Sequence, residues 1–186
     1  MKIYVKNMIC ESCKILVKNA LDELEISSDK VELGEIETKE DLSANEKRKI
    51  NLKIKRAGME LLEKKQDVLI EKIRLFMINY VYNSDEKSTI KFSVLLSKEL
   101  GHSYTYLSNY FSEAETTTIE QYIISLKIDK IKELIIFGES SFSEIAFLLN
   151  YSSVGHLSAQ FKKTTGMTPT HFKKLEEKNR NAIPII

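Results

Sequence analysis

The sequence predicts an α+β chain. It comprises a small α/β unit over residues 1–65, an all-α domain over residues 66–178 with two helix-turn-helix motifs joined by a linker helix, and a tail over residues 179–186. Three observations lead there. The first is the two-residue alternation of Lys2 to Lys6, with Ile3 and Val5 against polar neighbours, followed closely by apolar residues at helical spacing. The second is a dense run of cap and turn signals between Ser141 and Phe172. The third is a weaker repetition of that run between Ile90 and Phe111.

Taken in order, the strand Lys2 to Lys6 leads into the loop Asn7-Met8-Ile9-Cys10-Glu11-Ser12-Cys13 and then into a helix. Ile15, Leu16, Ala20, Leu21 and Leu24 give that helix an apolar stripe. Val31, Leu33 and Ile36 are placed for one or two short strands, and the charge of Ile36 to Asp41 argues against a full third strand. Ser43 to Ala57 reads as a second helix with Ile50, Leu52 and Ile54 on its inner side. Gly58 closes it, and Met59, Leu61 and Leu62 supply a last strand.

Glu63 to Asp67 reads as a polar hinge, with Asp67 capping a helix to about Tyr82. Leu69, Ile73, Phe76 and Tyr80 line one face of that helix, a stripe more typical of core than of a cofactor box. Asn83 to Ser88 is the next loop. Leu95, Leu96 and Leu100 then line a helix, Gly101 turns, and Ser103 caps a helix that buries Leu107 and Phe111. Thr117 with Glu120 reads as a capping box opening a long helix through Ile119, Tyr122, Ile123, Leu126, Ile131 and Leu134 to Gly138.

The second motif has the sharper signals. Ser141 and Glu144 form a capping box, with Ile145, Leu148 and Leu149 on the face that follows. Asn150 makes the corner, since Asn tolerates the left-handed conformation at small cost. Ser152 or Ser153 caps a helix burying Leu157 and Phe161, Gly166 ends it, and Thr168-Pro169 begins another.

The runs EIAFLLNY and FKKTTGMTP, with the aromatic Phe172 after them, resemble the signature of the AraC/XylS family of transcription regulators. Asn150 stands where that pattern has Gly, and Leu157 where it usually has an aromatic. The resemblance implies two reading helices that enter successive major grooves on one face of double-stranded DNA, about one helical turn apart. It puts Ser103, Tyr104, Thr105, Tyr106, Ser108 and Asn109 on the first. It puts Ser153, Val154, Gly155, His156, Ser158 and Ala159 on the second. Asn109 can read adenine in a bidentate way, and Tyr104 and Tyr106 can meet the backbone. The second set has no Arg to grip guanine, so the first is expected to carry most specificity. Lys162 and Lys163, with Lys173 and Lys174, are candidates for phosphate contacts; the alternative for each is a solvated face.

The order of strand, Cys-x-x-Cys loop, helix, strand, helix, Ala57-Gly58 turn and strand resembles the heavy-metal-associated domain of metallochaperones and metal-transport ATPases. That resemblance implies a ferredoxin-like unit with Met8-Ile9-Cys10-Glu11-Ser12-Cys13 at the metal loop. Asn7 stands where the family has Gly. Two thiolates at a helix N-terminus suit Cu(I) or another thiophilic metal ion. Zinc normally takes four ligands, and His102, His156 and His171 lie far off in sequence. A second subunit could complete the set. A redox-sensitive dithiol, or cysteines that only pack, are the alternatives.

Composition narrows the classes. The 186 residues are 42% hydrophobic with net charge +1, so no global basic field draws the chain to nucleic acid. From Gln66 onward about fourteen acids balance about fourteen bases, which predicts modest, strongly salt-dependent DNA affinity that a homodimer would strengthen. No apolar run reaches the roughly 20 residues of a membrane span. The start MKIYVKN lacks a signal peptide's apolar middle, so a cytoplasmic protein with reduced cysteines is expected. No general base accompanies Cys10, which argues against an enzyme. The reading is a sequence-specific regulator responsive to a thiophilic metal or to redox state, with a cytosolic metal carrier or thiol redox protein as the alternative.

Overall fold

The computed structural model of the chain describes residues 1–82, 90–138 and 140–182, so the loop expected over Asn83 to Ser88 and the end of the tail around Pro184 lie outside the described residues. Two compact units appear. One holds residues 1–78 and 90–114; the other, among the described residues, holds 79–82 and 115–182.

The first unit opens with β1 (Lys2–Lys6), α1 (Glu11–Asp22), β2 (Ser28–Glu32), β3 (Glu35–Thr38), α2 (Ala44–Lys55) and β4 (Glu60–Leu62). The strands form one antiparallel sheet in the order β2-β3-β1-β4, with Ile3 opposite Ile36 and Val5 opposite Leu61. Period-2 alternation sends Ile3, Val5 and Ile36 to one face, where they are buried with Val17, Ala20 and Leu21 of α1 and Ile50 and Ile54 of α2.

Several expectations are corrected here. The stretch judged too charged for a strand supplies β3, which pairs with both β1 and β2. Its Ile36 and Thr38 are buried, and Glu35 and Glu37, which alternate with them, point to the other face, so alternation absorbs the charge. On α1 the buried stripe is Val17, Ala20 and Leu21, while Ile15 and Leu16 are exposed. On α2 Leu52 is exposed for the same reason: the phase of a helix is fixed by the sheet it covers. The hinge also shrinks. Only two residues separate β4 from α3 (Lys65–Tyr82), so Asp67 lies in its first turn, where a carboxylate favours the helix dipole, instead of capping it. The buried positions of α3 are Ile70, Glu71, Ile73, Met77, Ile78 and Val81.

The first unit closes with α4 (Phe92–Leu100) and α5 (Tyr104–Ala114). The ring of Phe76 on α3 meets that of Phe92 on α4 edge-on, centroids 5.7 Å apart. The second unit is helical: α6 (Ile119–Phe137), α7 (Phe142–Leu148), α8 (Val154–Thr165) and α9 (Pro169–Ala182). Its core joins Ile128, Ile131 and Ile135 of α6 to Ile145, Leu157 and Phe161. The capping box of α6 is one residue later than expected: Thr118 accepts the Gln121 N–H and the Gln121 side chain accepts the Thr118 N–H, both at 3.2 Å. Thr118 directly precedes the first helical residue, and a Gln carbonyl serves as well as a carboxylate. Leu148 is exposed, and Ala146 takes its place in the core. The tail read as starting at Asn179 is helical through Ala182. Among the described residues no helix is long and apolar enough to cross a membrane.

Candidate nucleic-acid interface and thiol loop

Each helix-turn-helix is built from the same three local devices. In the first, α4 ends on Gly101, whose φ of 68° is the left-handed corner that glycine enters without strain. Ser103 Oγ then accepts the Tyr106 N–H at 3.3 Å, and Leu107 and Phe111 are fully buried on the inner face of α5. In the second, the corner residue is Asn150 with φ 55°, Ser153 Oγ accepts the His156 N–H at 3.1 Å, and Leu157 and Phe161 are fully buried. Phe172 of α9 packs on Phe161 with centroids 5.7 Å apart. Fixing the inner face fixes the outer one.

On that outer face of α5, Ser103, Thr105, Tyr106 and Asn109 are exposed and Tyr104 and Ser108 half-buried. Tyr106 is not isolated: it lies between His102 and Tyr110, with centroids 5.0 and 5.6 Å away, and this aromatic ladder walls an open cleft of about 450 Å³ shared with Lys72 and Glu99. On α8, Ser153, Gly155, His156, Ala159, Lys162 and Lys163 are exposed and Val154 and Ser158 half-buried. Lys162 and Lys163 occupy its last turn; Lys174 of α9 is exposed and Lys173 half-buried.

A network that sequence reasoning missed supports the second motif. Lys127 of α6 donates to the Leu149 carbonyl, at the end of α7, at 2.6 Å and lies 5.2 Å from the centre of the Tyr151 ring. Burial lowers its ammonium pKa, so the carbonyl and the ring compensate a costly charge. Tyr151 O–H donates to Gln160 Oε1 at 2.6 Å, and burial pushes the phenol up to about 12, which keeps that donor protonated. The His156 ring meets Tyr151 edge-on at 5.2 Å, and its Nδ1 is 3.1 Å from Ser152 Oγ. No local spacing pointed to it, since Lys127 and Leu149 are 22 residues apart.

The thiol loop sits at the head of α1. Cys10 is the N-cap residue and exposed; Cys13 lies in the first turn and is half-buried. Their sulfurs are 3.0 Å apart, and Cys13 Sγ is 3.9 Å from the Asn7 carbonyl. The Cys13 thiol, followed by the Cys13 and Ser12 backbone N–H groups, holds the Cys10 thiol below its usual range, whereas burial first and Cys10 second push Cys13 up. Cys10 is therefore the more readily ionised of the two thiols. Asn7 adopts φ 61°, the conformation for which a glycine would be the ordinary choice, and its side chain donates to the Gly58 carbonyl at 3.0 Å. Its backbone N–H donates to Glu71 Oε1 on α3 at 2.9 Å; Glu71 is 2% exposed and paired with Arg74. For a metal ion, two sulfurs match the low coordination number that soft Cu(I) accepts. No group of three His, Cys, Asp or Glu side chains gathers among the described residues, which does not match the four-ligand habit of zinc.

Comparison with known proteins bears on the helical part. A family model described as a helix-turn-helix domain matches residues 96–175. An HTH-type transcriptional regulator from the cgkA 5′ region of Pseudoalteromonas carrageenovora is 28% identical over 106 residues, covering 57% of this chain and 59% of that protein. The melibiose operon regulatory protein of Escherichia coli K12 is 27% identical over 79 residues, 42% of this chain and 26% of that one. The chain thus spans between about a quarter and three-fifths of these relatives. Among solved structures, the C-terminal domain of AraT, a response regulator from Geobacillus stearothermophilus, aligns with TM-score 0.51 at 20% identity, covering 60% of this chain and 88% of that domain. The DNA-binding domain of AdpA, a global transcriptional factor in complex with a target DNA, aligns with TM-score 0.51 at 13% identity, covering 61% and 97%. These likenesses are of fold. Residues 96–175 of this chain form a helix-turn-helix domain.

Proposed function

We propose that this chain is a DNA-binding transcription regulator that reads duplex DNA with the outer faces of α5 and α8. One observation carries the reading: both helices are capped, cornered by a left-handed residue and anchored by an identically spaced Leu/Phe pair, Leu107/Phe111 and Leu157/Phe161, which leaves a polar outer face on each. Thr105, Ser108 and Asn109 are the base readers of the first motif, and Lys162 and Lys163 hold phosphates at the end of the second. Replacing both lysines by Ala is expected to weaken binding to all sequences alike and to flatten the slope of log K against log salt by about 2. Titration of a labelled duplex at stepped salt measures it. An unchanged slope would return the two lysines to a solvated face.

A second layer concerns control. The strand, helix and sheet order of the first 65 residues supports a ferredoxin-like, heavy-metal-associated-like unit, with Cys10 and Cys13 as an effector site for a thiophilic metal ion or an oxidant. Cys10 and Cys13 would hold Cu(I) through their sulfurs, and the ion would supply a soft acceptor for thiolate; everything else is done by the chain. Asn7, which carries the loop, is bonded to Glu71 of α3, and α3 packs through Phe76 on α4 of the first reading motif. A change at the sulfurs therefore has a continuous path to α5 that does not need the hinge expected over Glu63 to Asp67. Replacing both cysteines by Ser is expected to abolish any effect of Cu(I) or of oxidation on DNA affinity while leaving reduced-state affinity intact, measured on one duplex in parallel; a response that persists removes the cysteines from the mechanism.

A further inference from the structure

We propose that Gly155 and His156, at the head of α8, form the closest approach of the second motif to duplex DNA, with Gly155 as clearance and His156 as a base reader whose ring is positioned by Ser152 and Tyr151. This rests on the DNA-reading role above. Six glycines occur in the chain, and five of them have φ between 68° and 82°, conformations that explain a glycine without further cause. Gly155 does not. It lies in the first turn of a helix, and a Cβ built there would meet only Ser153 Oγ, at 3.6 Å, an ordinary contact. Alanine would suit that helix better, so the fold does not account for the glycine. The remaining use of a missing side chain on an exposed helix head is the approach of something from outside.

The neighbouring residue supplies the reading group. Ser153 is committed to capping and Val154 is half-buried, which leaves His156 as the polar side chain of the first turn that faces solvent. Exposed side chains are ordinarily free to rotate, yet this ring is bonded at Nδ1 to Ser152 and rests on Tyr151, itself held by Lys127 and Gln160. A ring ordered before binding loses less entropy on binding. With Nδ1 engaged, Nε2 is the polar atom that remains, enough for one hydrogen bond to a base edge in the major groove.

The test uses the full chain in three variants, Gly155→Ala, Ser152→Ala and His156→Ala, each taken through thermal melting and selection from a random duplex library. Gly155→Ala should melt at or above the wild-type temperature and yet bind the selected site about tenfold or more weakly. Ser152→Ala and His156→Ala should lose base preference at one shared position and keep the others, and Ser152→Thr, which retains the hydroxyl, should restore it. Wild-type binding by Gly155→Ala, or an unchanged base profile in Ser152→Ala, overturns the proposal. If the wild-type chain itself selects no site, the DNA-reading role fails and takes this proposal with it, an outcome distinguishable because no variant is needed to see it.

Discussion

Truncating Phe161 to Ala is expected to destabilise the second unit by about 3–5 kcal/mol, the usual result of removing a fully buried aromatic side chain. Phe161 has no exposed surface and lies in a core with Ile131, Ile135, Ile145 and Leu157, while its ring is backed by Phe172 of α9. Ile145 and Leu157 lie on short helices held at both ends by caps and corners, which limits their movement into the hole. A domain of this size has about 5–15 kcal/mol in total, so much of the unit's stability is at stake. Chemical denaturation followed by circular dichroism measures the shift. A loss under about 1 kcal/mol would mean that α8 is not docked through this face.

The other large effect is expected at Glu71. Replacing it by Ala removes the acceptor of the Asn7 N–H and the carboxylate partner of Arg74 in a place where Glu71 is 2% exposed, and breaking a buried ion pair from one side costs about 3–5 kcal/mol. Glu71→Gln keeps an oxygen for Asn7 and loses only the charge, so it should be milder than the Ala variant and should preserve the loop. Hydrogen exchange at Asn7 separates the two: faster in Ala, close to wild type in Gln. Equal and small effects in both variants would show that the thiol loop is held to α3 by other contacts, and the path from Cys10 to α5 would lose its first step.

What the sequence made legible was local. Ser141 with Glu144, Asn150, Ser153 and Gly166 act on groups within four residues of themselves, so their chemistry is written in the spacing, and the Leu157/Phe161 and Leu107/Phe111 pairs follow from it. Phases set by distant partners were not legible. Ile15, Leu16 and Leu52 have the right type for a core and are exposed, because the sheet chooses which third of α1 and α2 it covers. The charge on β3 misled for a related reason: Glu35 and Glu37 face away from Ile36, a distinction that only strand pairing makes. Contacts that span the chain were invisible altogether. Asn7 finds Glu71 at a separation of 64 residues and Lys127 finds Leu149 at 22, and no spacing rule links such pairs.

The measurement that tests the central claim most directly is selection of random genomic fragments by the purified, reduced, metal-free chain at moderate salt, with a Cu(I)-loaded sample in parallel. The account predicts enrichment of a common duplex site in at least one arm, with Asn109 needed for its strongest base preference. A site that changes between arms would assign Cys10 and Cys13 to its control. A folded protein that enriches nothing in either arm would contradict the account, leaving the helix-turn-helix domain without its reader's role and the thiol loop as the remaining candidate for function.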